Sequence, residues 1–117
     1  MPWEILIHPE VADWLAELPQ SAYESVIVTL DVLKYSGPSL GRPLVDRIKN
    51  SKFHNLKELR PLGTTLRILF AFDFKRRAVL LVAGDKSHDW KTWYEKAIPI
   101  AETRFEELIA NSRKEQQ

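Results

Sequence analysis

Hydrophobic and polar positions along this chain follow two periods, and the switches between them set the predicted order of elements. Near the N-terminus Trp3, Ile5 and Ile7 alternate with Glu4 and His8, the period-2 pattern of a half-buried strand over about residues 2–8. Pro9 suits a first helical position, and Val11, Trp14, Leu15 and Leu18 then recur at i, i+3, i+4 and i+7 until Pro19 stops them. Ser21 and Glu24 have the spacing of a capping box. Tyr23, Val26, Ile27, Leu30 and Leu33 carry a second helical stripe, which Gly37-Pro38 ends. Residues 36–51 hold two glycines and two prolines with little periodicity, which predicts an ordered loop with at most one turn of helix.

Period 2 returns in the middle third. Residues 55–60, 65–73 and 78–86, separated by turn-like segments at 61–64 and 74–77, predict a three-strand antiparallel meander. On the second of these strands Leu66, Ile68, Phe70 and Phe72 share one face, and Arg67, Leu69, Ala71 and Asp73 the other. Leu59 of the preceding strand belongs with the core, which sends Arg60 away from the N-terminal helices, beside Arg67. Residues 78–84 are almost uninterruptedly apolar, as in a strand covered on both faces, and deliver Asp85, Lys86, Ser87, His88 and Asp89 at their end. Beyond Asp89, the helically spaced Trp90, Trp93, Tyr94, Ala97, Ala101, Phe105 and Leu108 enclose Pro99. An interior proline costs a helix about 3 kcal/mol, so the pattern predicts one turn from Trp90 and a separate helix over residues 98–110. A polar tail at 111–117 is expected to fray. The expectation is one α+β domain over residues 1–117. It has an antiparallel-rich four-stranded sheet (the N-terminal strand plus the meander), two N-terminal helices on one face and a C-terminal helix.

Composition narrows the chemistry. At 117 residues a two-domain enzyme is excluded, and the 44% hydrophobic and 28% charged content is that of a folding chain. With no cysteine there is no disulfide framework, thiolate nucleophile or cysteine-ligated metal. No apolar run approaches the roughly 20 residues needed to span a bilayer. Residues 1–8 also lack the start of a signal peptide, so a cytoplasmic location is expected. The net charge of +1 conceals a polarity: residues 1–46 carry seven acidic and two basic side chains, and residues 47–91 carry four and eleven. A basic middle third suits an anionic partner such as RNA; the alternative is a set of solvated charges on strand edges and turns.

Several residues then stand out. Arg60 and Arg67 are planar donors on one face, suited to phosphate oxygens, with Lys86 a point charge at a strand end. Their structural alternative is pairing with Glu58 or Asp73 across the sheet. His88 has the ordinary pKa for proton exchange near neutrality and lies two residues from Lys86; the alternative is an exposed loop residue. His54 is a second such candidate, and His8 is a helix-entry residue. Tyr94 could donate a proton or stack on a base, an ambiguity it shares with Trp90 and Trp93; at least two of these three are expected to pack. Nothing fixes Glu58 near Asp85 as a carboxylate pair. The three histidines, 46 and 34 residues apart, lack metal-ligand spacing.

The ordered combination of Leu56-Lys57-Glu58-Leu59-Arg60, Leu66-Arg67-Ile68-Leu69-Phe70 and Val79-Leu80-Leu81-Val82-Ala83-Gly84-Asp85-Lys86, followed by Trp90, Trp93-Tyr94 and Ile98-Pro99, resembles the RelE/HigB superfamily of bacterial toxins. It is most similar to the phage-derived HigB-like branch, over about residues 3–110. The resemblance implies the toxin of a type II toxin-antitoxin system: an endoribonuclease that enters the ribosomal A site and cuts mRNA by attack of a ribose 2′-hydroxyl on the adjacent phosphodiester. It implies no metal or other cofactor, and a cognate helix-turn-helix antitoxin encoded by the adjacent gene. Arg60, Arg67 and Lys86 match basic positions of the family pattern; His88 and Tyr94 join them as catalytic candidates by chemistry alone. Lys52, His54, Lys57 and Lys91 are expected to bind RNA or the ribosome. Two rival readings are a ParE-like toxin that blocks DNA gyrase without cutting RNA, and a non-enzymatic RNA- or protein-binding module.

Overall fold

A computed structural model describes residues 2–115. The elements run β1 (Glu4–Ile7), α1 (Pro9–Ala16), α2 (Gln20–Ser36), a short 3-10 turn (Gly37–Ser39), β2 (Val45–Arg47), β3 (Leu56–Leu59), β4 (Leu66–Phe72), β5 (Arg77–Asp85) and α3 (Trp90–Glu115). One sheet takes all the strands in the order β1-β5-β4-β3-β2; β1 runs parallel to β5, and every other neighbouring pair is antiparallel. The α+β class and the meander are as expected, but the sheet has five strands. The added one, β2, lies in the segment expected to be a loop. Its three residues are too few to display a period, and it exists through pairing with β3.

The helix entries differ in detail. His8 caps α1, its Nδ1 accepting the Glu10 backbone N–H at 3.1 Å. The Ser21–Glu24 capping box does not form: the N-cap is Pro19, two residues earlier, and Glu24 accepts instead from the Gln20 side chain.

Two apolar layers flank the sheet. Val11 and Leu15 of α1 and Val26, Leu30 and Leu33 of α2 pack on Leu59, Leu66, Ile68, Phe70, Ala78 and Leu80. On the other side Ala97, Ala101 and Phe105 of α3 cover Leu56, Leu69, Ala71, Val79, Leu81 and Val82. The face alternation read from β4 is therefore borne out. The face carrying Arg67, however, lies under α3 and is not open.

A register shift between β4 and β5 decides what leaves the end of β5. Leu69 pairs with Val82 but Phe70 with Leu80, so Leu81 is an extra residue, and both Leu81 and Val82 face α3. The parity of β5 flips at this point. Gly84 then lies beneath Trp93 of α3, Asp85 turns toward α1 and α2, and Lys86 returns to the α3 side. An unbulged strand would send Lys86 to the opposite face.

The C-terminal segment forms one helix through Pro99, where a break was expected, and it continues to Glu115 through most of the tail expected to fray; residues 116 and 117 lie outside the described residues. The lost backbone bond is offset by packing on both sides of the proline, from Trp93 and Tyr94 before it and Ala101 and Phe105 after it. The Trp93 contact needs the absence of a side chain at position 84. A Cβ there would fall against the indole Nε1 and within 2.9 Å of its Cε2. Gly84→Ala should therefore destabilise the fold by about 1–3 kcal/mol, read as a lower urea midpoint with a changed near-ultraviolet tryptophan signal.

Candidate active site

The site is built around a buried carboxylate. Alternation on β3 sends Leu59 to the α1/α2 core and Leu56 and Glu58 to the α3 side, leaving Glu58 2% exposed. Arg60 Nε donates to Glu58 Oε1 at 2.7 Å, and Arg67 Nε lies 3.3 Å from the same oxygen. That second contact is an ion pair off the hydrogen-bond line, so Arg67 Nε is a buried donor with no hydrogen-bond partner. The Arg67 guanidinium is held by its Nη1, which donates to the Leu66 carbonyl at 2.7 Å. Tyr94, half-buried on α3, faces Glu58. Burial first, and the interaction with Glu58 second, push its phenol well above the ordinary value of 10.0, against the opposing charges of Arg67 and Arg60.

Arg60 also reaches Asp46 of β2 at 3.3 Å, and Asp46 receives Arg42 at 3.1 Å. The Arg47 backbone N–H and the Arg42 side chain hold Asp46 below the ordinary carboxylate range. For Arg60, burial acts to lower the pKa, but its bond to Glu58 and the charges of Glu58 and Asp46 outweigh it and leave the pKa raised.

In front of this cluster a cleft of about 950 Å³ opens between the β2 edge and the N-terminal half of α3. Arg60, Lys86, Tyr94 and Lys91 line it, as does Trp90, one of the three aromatics left open between packing and contact, and so do Arg47 and Lys49, which were not among the expected site residues. Arg67 lies behind Glu58, its side chain 12% exposed against 37% for Arg60, so the expectation of two exposed arginines holds for Arg60 alone. His88 is exposed in the β5–α3 loop and does not line the cleft. Neither does His54, exposed before β3, nor Lys57, whose ammonium lies over the Phe72 ring on the far face of β3. Lys52 stands near the far end of the cleft, paired with Glu106, which raises its pKa; its backbone N–H donates to Glu102, a residue of the cleft wall. Glu58 and Asp46 are the carboxylates of the arginine cluster that reading the sequence missed. The alternative pairing of Arg60 and Arg67 with Glu58 was the one available signal, while Asp73 turns out to pair with Arg77. Among the described residues no three histidine or carboxylate side chains converge as a metal-binding group, and no helix is long and apolar enough to cross a membrane.

A mixed five-stranded sheet with paired N-terminal helices on one face and a cleft-forming helix on the other is the RelE-like toxin fold. The RelE chain of the archaeal RelE–RelB complex from Pyrococcus horikoshii superposes with a TM-score of 0.62 at 20% identity, over 75% of this chain and 99% of that one. A mutant of E. coli toxin RelE in the free state gives 0.63 at 9% identity, over 85% and 97%. Within that class, residues 13–106 match the model of the phage-derived Gp49-like proteins (DUF891), and the chain belongs to this family. A Mycobacterium tuberculosis protein bearing the toxin name HigB3 is 50% identical over 107 residues, 92% of this chain and 94% of its own. A second, bearing the name HigB2, is 43% identical over 103 residues, 86% of this chain and 51% of its own. These relatives put the chain in the HigB branch of the RelE/HigB toxins, as the strand motifs had suggested.

The buried cluster makes a pH prediction. With its folded pKa raised, Tyr94 keeps its proton in the native state while the unfolded chain loses it, so stability should fall as pH rises from the ordinary tyrosine value upward. Glu58→Gln should bring Tyr94 down toward that ordinary value, seen as earlier tyrosinate absorbance, and reduce the alkaline loss. Glu58→Ala should cost about 3–5 kcal/mol in chemical denaturation, because it leaves Arg67 as a buried charge without a carboxylate.

Proposed function

We propose that the chain is the toxin of a type II toxin-antitoxin pair and acts in the cytoplasm as a ribosome-dependent, metal-independent mRNA endoribonuclease. The observation that carries this reading is that Arg47, Lys49, Lys86 and Lys91 line one cleft without an ion pair among the described residues, next to an Arg60 held in position by Glu58. Cations facing a common volume without ion-pair partners favour a polyanion.

In the reaction, a ribose 2′-oxygen bonds to the adjacent phosphorus and the bond to the 5′-oxygen breaks. The products are a 2′,3′-cyclic phosphate and a 5′-hydroxyl. Arg60 and Lys86 stabilise the charge that develops on the phosphate oxygens. Arg67 acts through Glu58, as a positioning residue. Of the carboxylates lining the cleft, Asp46 and Glu58 are engaged by arginines and Glu102 by Ser51 and the Lys52 backbone, whereas Glu95 has no partner among the described residues. Glu95 is our assignment for the group that takes the 2′-hydroxyl proton. Tyr94, kept protonated, is our assignment for the donor to the departing 5′-oxygen.

A nuclease of this kind must be restrained in its own cell. The solved RelE relative from Pyrococcus horikoshii is bound to RelB, and we assign this chain a cognate antitoxin of the helix-turn-helix type from the adjacent gene.

Expression of the chain should arrest growth and create new mRNA 5′ ends only while translation proceeds. Arg60→Ala and Lys86→Ala should each lower cleavage on translating ribosomes by about 100-fold or more, whereas His88→Ala, outside the cleft, should stay within a few-fold of wild type. Growth arrest through inhibited gyrase without new mRNA ends would establish the ParE-like reading instead, and ribosome binding without cleavage would leave a binding module.

A further inference from the structure

The four tryptophans are put to different uses. Trp3 packs edge-on to Phe72 at 5.0 Å and covers Gly37, Trp14 packs against the α1/α2 core, and Trp93 covers Gly84. Trp90, the first residue of α3, has no such place: it is 61% exposed while lining the cleft. Its ring meets Tyr94 edge-on at 6.4 Å, a contact that orients the indole without covering its faces. Lys86 and Lys91, in the same lining, have no ion pair among the described residues.

We propose that Trp90 is a stacking platform for one unpaired nucleobase of a single-stranded RNA whose adjacent phosphate lies at Arg60 and Lys86. The proposal rests on the nuclease reading above and adds a base-binding subsite to it. An exposed indole beside unneutralised ammonium groups matches a ligand that joins a flat π surface to negative charge, as a nucleotide does. A protein segment would need an acidic and an apolar group at the same spacing, and it would leave Arg47 and Lys49 on the opposite wall unanswered; a polynucleotide backbone supplies a charge at every step. A duplex is excluded as the ligand, because its base faces are already stacked. Stacking on the indole ignores base identity, so Trp90 contributes affinity and register, and any sequence preference comes from elsewhere.

The test is binding of a short 2′-O-methyl RNA, which cannot be cleaved, and of the same backbone with abasic sites, to the full chain at low salt. Quenching of tryptophan fluorescence and an independent anisotropy signal are both followed. For Trp90→Ala the base-bearing strand should bind roughly 5- to 100-fold more weakly, with the abasic strand unchanged. Trp90→Phe should retain most of the affinity, and the quench should vanish in both variants. Circular dichroism should be unaltered, since the side chain is exposed. Binding of the base-bearing strand that Trp90→Ala leaves intact, or an equal loss for both strands, overturns the platform and leaves the nuclease reading standing. Failure of wild type to bind either strand also overturns the platform, and the ribosome-dependent nuclease reading is decided separately, by cleavage on translating ribosomes. Loss of antitoxin affinity in Trp90→Ala with RNA binding unchanged assigns the indole to the protein partner and also overturns the platform.

Discussion

Everything at this site depends on one buried negative charge. An isolated carboxylate beneath a helix would carry a desolvation penalty of several kcal/mol, and Glu58 is tolerated only because Arg60, Arg67 and Tyr94 converge on it. Those partners come from the end of β3, from β4 and from α3, so the charge that costs most to bury is also the point at which the three elements are held together. The attachment of β2 depends on it as well. Asp46 and Glu58 are direct partners in the β2–β3 ladder, where like charges repel. Arg60 touches both carboxylates and turns a repulsive pair into a bridged one.

This arrangement sorts the cations in and behind the cleft into two sets. The inner arginines are neutralised by carboxylates, and their positions are fixed by that pairing. The outer set of Arg47, Lys49, Lys86 and Lys91 has no ion pair among the described residues. The inner set supplies geometry and the outer set supplies field, which in a recess with low-dielectric walls is concentrated toward the opening. A guanidinium free to rotate would give charge without direction. Arg60, anchored through Nε and still 37% exposed, offers both.

Which parts of this were legible in the sequence follows from the range of the interactions involved. The alternation from Leu66 to Phe72 assigned faces correctly because one residue in two must meet the α1/α2 core, a constraint that acts at every position. The bulge at Leu81 was not legible: a run of apolar residues covered on both sides reads the same with or without an extra residue, so the parity that returns Lys86 to the cleft left no mark. Glu58 was visible as a possible partner for the arginines, but its burial depends on α3 crossing above it, which no local pattern records. His88 drew attention by its chemistry and its closeness to Lys86 along the chain, and the turn after β5 separates the two. Strand β2 is defined by its partner alone.

Pro99 shows how the cleft accommodates a local rule being broken. The missing N–H belongs to the bond that would have accepted at the Glu95 carbonyl, one turn earlier. Pro99 is exposed, so the interruption lies on the solvent side of α3, where the orphaned carbonyl can be hydrated. On the sheet side the helix is fastened on both flanks. Beyond the proline, Arg104 donates to the Leu81 carbonyl at 2.6 Å and pairs with Glu10 of α1, while Glu102 accepts from Ser51 and the Lys52 backbone. Before it, Trp93 rests on Gly84 and Tyr94 on Glu58. The half of α3 that forms the cleft wall is thus held by the same carboxylate that orders the arginines. A change in the charge of Glu58 would act on the wall and the floor of the cleft together, which is why neither can be varied independently of the other.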